Sequence, residues 1–212
     1  MEIPGKEALV VRVGTKSLLF GCHQFLVHPI VVLICWWKLY GRGRVIVLPS
    51  VFADASAWPG FFSWRVWLAA LIHDWGYWGC TSMDGKEPTG GDRHPERVAN
   101  WSWVKRDRVL RNLILYHSRF YAKGAGMAPS PLCWADKLAI CILPSWLWAL
   151  FARLSREGFE YLDDGKYEAN WITKGDSTRQ MHWDHTYFNL ITFHKRVRDW
   201  CSGWRKDVET RS

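Results

Sequence analysis

"LAALIHDWGYWG", residues 68–79, runs through apolar residues to His73-Asp74 and then breaks into glycines and aromatics. Across residues 64–75, Trp64, Trp67, Leu68, Leu71 and Ile72 recur at three- and four-residue spacing. That period predicts a buried helix, which Gly76 and Gly79 then stop. An ionised Asp at the end of such a helix is costly unless a metal ion, a hydrogen bond or an ion pair compensates it. Which of these applies depends on what the other helices bring to the same point.

The same period recurs along the chain. "HPIVVLICWWKLYG" predicts a helix with Pro29 in its first turn and Gly41 past its end. It is apolar almost all round, which places it centrally. "HPERVANWSWV" opens a further helix. "RDRVLRNLILYHSRFYAKG" is amphipathic, with Val109, Leu110, Leu113, Ile114 and His117 on one side. In "SPLCWADKLAICILP" Asp136 sits inside the stripe Leu132, Ala135, Ala139, Ile140 and Leu143. A last helix, from about Asp184 to Cys201, puts Tyr187, Leu190, His194, Val197 and Cys201 on one face. Strand signals are confined to "RVIVLPS", residues 44–50, and a small β-hairpin around Asp164-Gly165. The expected fold is mostly all-α, a helical bundle in one domain over residues 1–212.

With 212 residues, 49% hydrophobic and 23% charged, the chain can bury a substantial core. A net charge of +8 favours anionic ligands, whether nucleotide, nucleic acid or membrane. The cations are scattered, which argues against a basic binding tail. The six Cys form no CxxC and lie in apolar surroundings, so they read as reduced core residues of a cytoplasmic protein. "MEIPGKEALV" lacks the pattern of a signal peptide. The two longest apolar runs, "SLLFGCHQFLVHPIVVLICWWKLY" and "LAICILPSWLWALFARL", are interrupted by His, Gln or Pro, or are too short to span a membrane. The sixteen Trp read as bulk for the core, with a Trp-rich face toward a membrane or partner as the alternative. The polar, glycine-rich loop over 79–93 is a candidate lid or substrate rim. No GxGxxG or P-loop motif is present.

The imidazoles and carboxylates on inward faces or helix ends are His28, His73, Asp74, His94, His117 and Asp136. Apart from the adjacent pair, each lies on a different expected helix, and a bundle can bring such side chains together in its core. Nitrogen and oxygen donors of this kind suit Fe, Mn, Zn, Ni or Co. Six are too many for one catalytic ion with open positions and suit two ions sharing a carboxylate. His23 lies near His28, which is preferred because it begins the apolar helix. His182, His185 and His194 read as surface or packing residues, and Glu157 and Glu160 receive no role.

In this order the six residues resemble the HD-domain superfamily of metal-dependent phosphohydrolases, in particular its binuclear subgroup, which includes the HD-GYP phosphodiesterases. "AALIHDWGYWG" is similar to the family's HD-x-G segment, "HPERVA" to the segment carrying the third His, and "CWADKLA" to the one carrying the last Asp. The similarity spans about residues 25–145, leaving 146–212 as a C-terminal helical extension. Tyr77 stands where HD-GYP proteins commonly have Lys, and the GYP triplet is absent.

The resemblance implies two divalent transition-metal ions held by the six residues, with Asp74 bridging. It implies hydrolysis of an anionic small molecule, a nucleotide or cyclic (oligo)nucleotide, by a metal-activated water. Ser118, Arg119 and Lys137 follow His117 and Asp136 and are candidates for holding phosphate. Arg119 and Lys137 are also candidates for neutralising the transition state. Tyr77, with Trp78, Tyr121 and Trp134, is a candidate for stacking a base. Some HD-fold proteins with di-iron centres instead cleave C–C or C–P bonds with O2 through the same ligands, which leaves an oxygenase as the alternative. Nucleic acid is not specifically indicated as a partner, and the sequence sets no oligomeric state.

Overall fold

The computed structural model describes residues 12–41, 58–83, 88–162 and 190–199. Its helices, in chain order, are α1 (Val13–Phe20), α2 (Val27–Tyr40), α3 (Trp64–Ile72), α4 (His94–Ala99), α5 (Ser102–Arg106), α6 (Arg108–Leu115), α7 (Arg119–Gly124), α8 (Pro131–Ile142), α9 (Ser145–Ser155) and α10 (Glu157–Leu162). Residues 190–199 form a further helix, α11. Among the described residues there is no strand, so the fold is all-α as expected. The strand signal at 44–50 and the hairpin around Asp164-Gly165 lie outside the described residues.

α2 packs along α8 and against α3, α3 and α4 pack on α6, and α1 packs on α9. Val32, Cys35, Val66, Ala69, Leu110, Leu113, Leu132 and Ala135 are fully buried between them. The Leu132–Leu143 stripe of α8 faces inward as its period requires, and carries Asp136 with it. Cys22, Cys35, Cys80 and Cys133 are free thiols, and all four are buried.

Two expected helices are each broken in two. "HPERVANWSWV" divides into α4 and α5 at Asn100-Trp101, and the amphipathic segment divides into α6 and α7. Between α6 and α7 the backbone of Ser118 is extended, and the Tyr116 carbonyl accepts from the Ser130 amide at 2.9 Å. The second break tucks His117 under α8 instead of leaving it on a continuing helical face. Asp107 caps α6 by accepting from the Leu110 amide at 3.0 Å, and it binds Arg65 of α3 at 2.7 Å.

The face of α3 also differs from its period. Trp64, Trp67 and Leu71 are exposed, whereas Val66, Ala69, Ala70 and Ile72 are buried. The helix turns its small residues inward, and this lets α2 and α6 approach closely. α2 likewise buries His28, Val31, Val32, Cys35 and Trp36 but exposes Ile30, Ile34 and Trp37. The described tryptophans therefore do not serve mainly as core bulk. Among those described only Trp36 and Trp148 are buried, while Trp37, Trp64, Trp67, Trp75, Trp78, Trp103 and Trp146 are exposed.

His194 of α11 is a packing residue, as expected. Its Nε2 donates to the Ile140 carbonyl at 2.7 Å, its Nδ1 meets Ser145 Oγ at 2.9 Å, and its ring stacks on Trp148. His182 and His185 lie outside the described residues. No single helix among the described residues is long and apolar enough to cross a membrane. α8 and α9 reach that length only as a pair bent by 104°.

Candidate metal centre

His73 is the C-cap of α3 and Asp74 opens the 3-10 turn Trp75–Tyr77, so the chain tightens where the two side chains project. α2 supplies His28 from its first turn and α8 supplies Asp136 from its middle. α4 supplies His94 as its first residue, and the turn after α6 supplies His117. All six converge. One group comprises His28, His73, Asp74 and Asp136, and a second comprises Asp74, His94 and His117; within each group the ligand atoms lie within 4.8 Å of one another.

Asp74 belongs to both groups through different oxygens. Its Oδ2 lies 3.2 Å from Nε2 of His28 and 3.2 Å from Nε2 of His73. Its Oδ1 lies 3.5 Å from Nε2 of His94 and 3.7 Å from Nε2 of His117. Asp136 Oδ1 closes the first group at 3.1 Å from His28 and 3.6 Å from His73. Its side chain, 18% exposed, is the most open of the six, so access to the centre is on the α8 side.

The orientation of the histidines is fixed by the backbone. Nδ1 of His73 contacts the Ala70 carbonyl at 3.0 Å, Nδ1 of His94 contacts Gly91 O at 2.7 Å, and Nδ1 of His117 contacts Ile114 O. A carbonyl only accepts, so each Nδ1 carries a proton and each Nε2 points inward. Outer hydrogen bonds of this kind hold ligating histidines in place. His28 Nε2, His73 Nε2 and Asp74 Oδ2 are buried with no hydrogen-bond partner of good geometry. Buried polar atoms are rarely left so. A cation between them satisfies all three, and the donor set fits divalent transition metals.

The electrostatics divide along the same line. Burial opposes charge on His73, but Asp74 and Asp136 outweigh it and raise its pKa to about 10. His28 is also raised, by the nearby Asp136 and Asp74 carboxylates against the effect of burial. Both carboxyls are held well below their ordinary range, because His73 and His28 overcome the burial that would protonate them. On the other side burial and the neighbouring His117 push His94 well down, and burial with His73 nearby pushes His117 down to about 4. Without metal, two protonated histidines balance two carboxylates, and two neutral histidines face them.

Gly76, two residues after Asp74, makes the junction possible. A Cβ there would lie 1.9 Å from the His94 carbonyl oxygen, so only glycine lets α4 begin against this turn. The ring of Tyr77 is buried and stacks on His94 at 3.8 Å. Arg97 ties the described parts of the 79–93 loop to the site through the carbonyls of Gly76, Pro88 and Gly90. Glu160 accepts from the Met83 amide at 2.6 Å. These bonds pin both ends of the loop that the sequence offered as a lid.

Of the other expected site residues, Ser118 is half-buried at the start of α7, and Arg119 is exposed. Arg119 lines an open recess of 470 Å³ with Phe120, Lys123, Met127 and Pro129. Lys137 is half-buried on α8 beside Asp136.

A buried network that sequence reasoning missed adjoins the centre. Glu157 is fully buried and accepts from Ser17 Oγ at 2.8 Å, from the Cys22 amide at 2.6 Å and from Ser155 Oγ at 2.7 Å. It also meets Nδ1 of His23 at 3.1 Å. The His23 ring lies against both His28 and Tyr77, at 5.6 and 5.1 Å. Burial disfavours charge on His23, but Glu157 raises its pKa to about 9. The proximity of His23 to His28 was visible in the sequence; its partner, 134 residues away, was not.

No family model, curated protein or solved structure matches this chain, so the reading of the site rests on its own geometry.

Proposed function

We propose that this chain is a metal-dependent phosphohydrolase acting on a nucleotide or cyclic (oligo)nucleotide. The observation that carries the reading is the divided carboxylate of Asp74, with one oxygen toward His28 and His73 and the other toward His94 and His117. A carboxylate shared in this way suits two ions side by side. Such ions would supply Lewis acidity to a phosphoryl oxygen and lower the pKa of an attacking water.

The chain's own residues have distinct tasks in this scheme. His28, His73, His94 and His117 present neutral Nε2 atoms, and Asp74 joins the two halves. Asp136, the most open ligand, would orient the attacking water. Arg119, in the recess beyond His117, and Lys137, next to Asp136, offset charge on the phosphoryl group as it grows. Phe120 in the same recess gives an apolar surface for a base or other planar group. The net charge of +8 favours an anionic substrate.

The test is a phosphate-release screen over nucleotides and cyclic dinucleotides with metal-loaded protein, repeated with Asp74→Asn. Release by the wild type that disappears in the variant supports the reading. Release that persists unchanged in Asp74→Asn refutes it.

A further inference from the structure

Trp64, Trp67, Leu71 and Trp75 form one outward stripe along α3 and the turn after it. Ring contacts extend the stripe in both directions. Trp37 of α2 meets Phe61 at 5.0 Å, and Phe61 meets Trp67 at 5.3 Å. At the other end Trp75 meets Trp101 at 6.2 Å, and Trp101 meets Trp103 at 5.9 Å. Ile30 and Ile34 continue the exposed surface along α2. Nothing among the described residues covers this face. A contiguous apolar surface of this kind is uncommon on a protein that meets only water.

Its charge is one-sided. The segments that bear it, 27–40, 58–75 and 101–111, contain six cations: Lys38, Arg65, Lys105, Arg106, Arg108 and Arg111. They contain two acidic residues: Asp74, which is buried in the candidate metal centre, and Asp107, whose carboxylate is taken up by Arg65 and the α6 cap. Lys38, Lys105, Arg106 and Arg108 are exposed on the same segments as the indoles, and Arg65 lies over the Trp64 ring at 5.0 Å.

We propose that this face seats the protein on an anionic lipid bilayer surface. Indoles favour the water–lipid boundary, where the ring is buried and the N–H stays wet. Aliphatic side chains such as Ile30, Ile34 and Leu71 enter the acyl boundary, and flanking cations meet anionic headgroups. A single-stranded nucleic acid would use the rings and the cations, but it has no use for exposed aliphatics. The metal centre opens on the α8 side, so the inference stands apart from the proposed reaction.

The experiment is co-sedimentation of the full chain with vesicles of phosphatidylcholine alone and with phosphatidylserine added, with tryptophan emission recorded in parallel. The wild type partitions onto the anionic vesicles, its emission shifts to shorter wavelength, and salt weakens binding. Each basic residue is worth about fivefold in partition, so Lys105→Gln with Arg106→Gln lowers it about 25-fold. Trp64→Ser with Leu71→Ser lowers it at least about tenfold. Circular dichroism checks that helicity is kept, and the charge variants, which touch no core residue, decide the matter if the apolar pair unfolds. Failure of the wild type to bind anionic vesicles overturns the proposal, as does equal binding by all variants. Capture of a single-stranded oligonucleotide without vesicle binding also overturns it.

Discussion

His94 and His117 hold their Nε2 atoms 3.1 Å apart while each Nδ1 donates to a backbone carbonyl. Both pKa values lie below the ordinary histidine range, so neither Nε2 carries a proton near neutrality. Two lone pairs then face each other with no hydrogen between them. Such a contact repels unless an electrophile lies within reach of both. Asp74 Oδ1 closes the triangle and supplies the negative charge a cation requires.

The first prediction is the pH profile of the metal-free protein. His23, His28 and His73 are raised, the first to about 9 and the last to about 10. Above the unfolded value of about 6.5 the native state holds protons that the unfolded chain has released. Stability therefore falls as pH rises toward 10. His94, His117 and His194 are lowered, the last two to about 4. Below about 6.5 the unfolded chain takes protons that these native residues refuse, and stability falls toward acid. Thermal melts of chelator-treated protein should peak near pH 6.5 and decline on both sides. Saturating metal should lessen the alkaline decline, since it replaces the protons on His28 and His73, and leave the part due to His23, which Glu157 holds protonated. A flat profile between pH 5 and 9 contradicts the assignment.

Gly76→Ala tests the junction between the α3 turn and α4. The added methyl would meet the His94 carbonyl, so His94 must move. Overpacking of this kind costs about 1–3 kcal/mol, and metal affinity should fall with Tm because His94 is one of the proposed ligands. An unchanged Tm and full metal content would show that the turn yields without disturbing the site.

Much of this was readable before the structure. His73, Asp74 and Asp136 lie at a helix end or on an inward stripe, and charge in such places needs a partner. Period alone failed at His117, because apolar spacing continues through Tyr116–Phe120 while the backbone turns. It failed differently on α3, where Trp64, Trp67 and Leu71 share a helical face just as Val66, Ala69 and Ile72 do. When both faces are apolar, the spacing cannot say which is buried; close packing against α2 and α6 selects the smaller side chains. The His23–Glu157 pair joins a loop to a helix start 134 residues away, and no local pattern links them.

The role of the flanking cations separates substrate binding from metal binding. Arg119→Ala and Lys137→Ala should leave metal content unchanged. A charge-assisted bond to phosphate is worth about 1.5–3 kcal/mol, so kcat/KM should drop about ten- to hundredfold. A loss in KM alone marks a contact kept from ground state to transition state, and a loss in kcat marks one made in the transition state. The same assays run without air should give the same rates. Strict dependence on O2 would replace hydrolysis by oxygenase chemistry on the same ligands.

Metal stoichiometry tests the central claim most directly. Elemental analysis of protein loaded with a divalent transition metal should give two ions per chain for the wild type. It should give one for the His94→Ala, His117→Ala double variant, which keeps His28, His73, Asp74 and Asp136. Asp74→Asn, which weakens both halves at once, should hold less than one. Two ions per chain in Asp74→Asn, or fewer than two in the wild type, would contradict a binuclear centre bridged by that carboxylate.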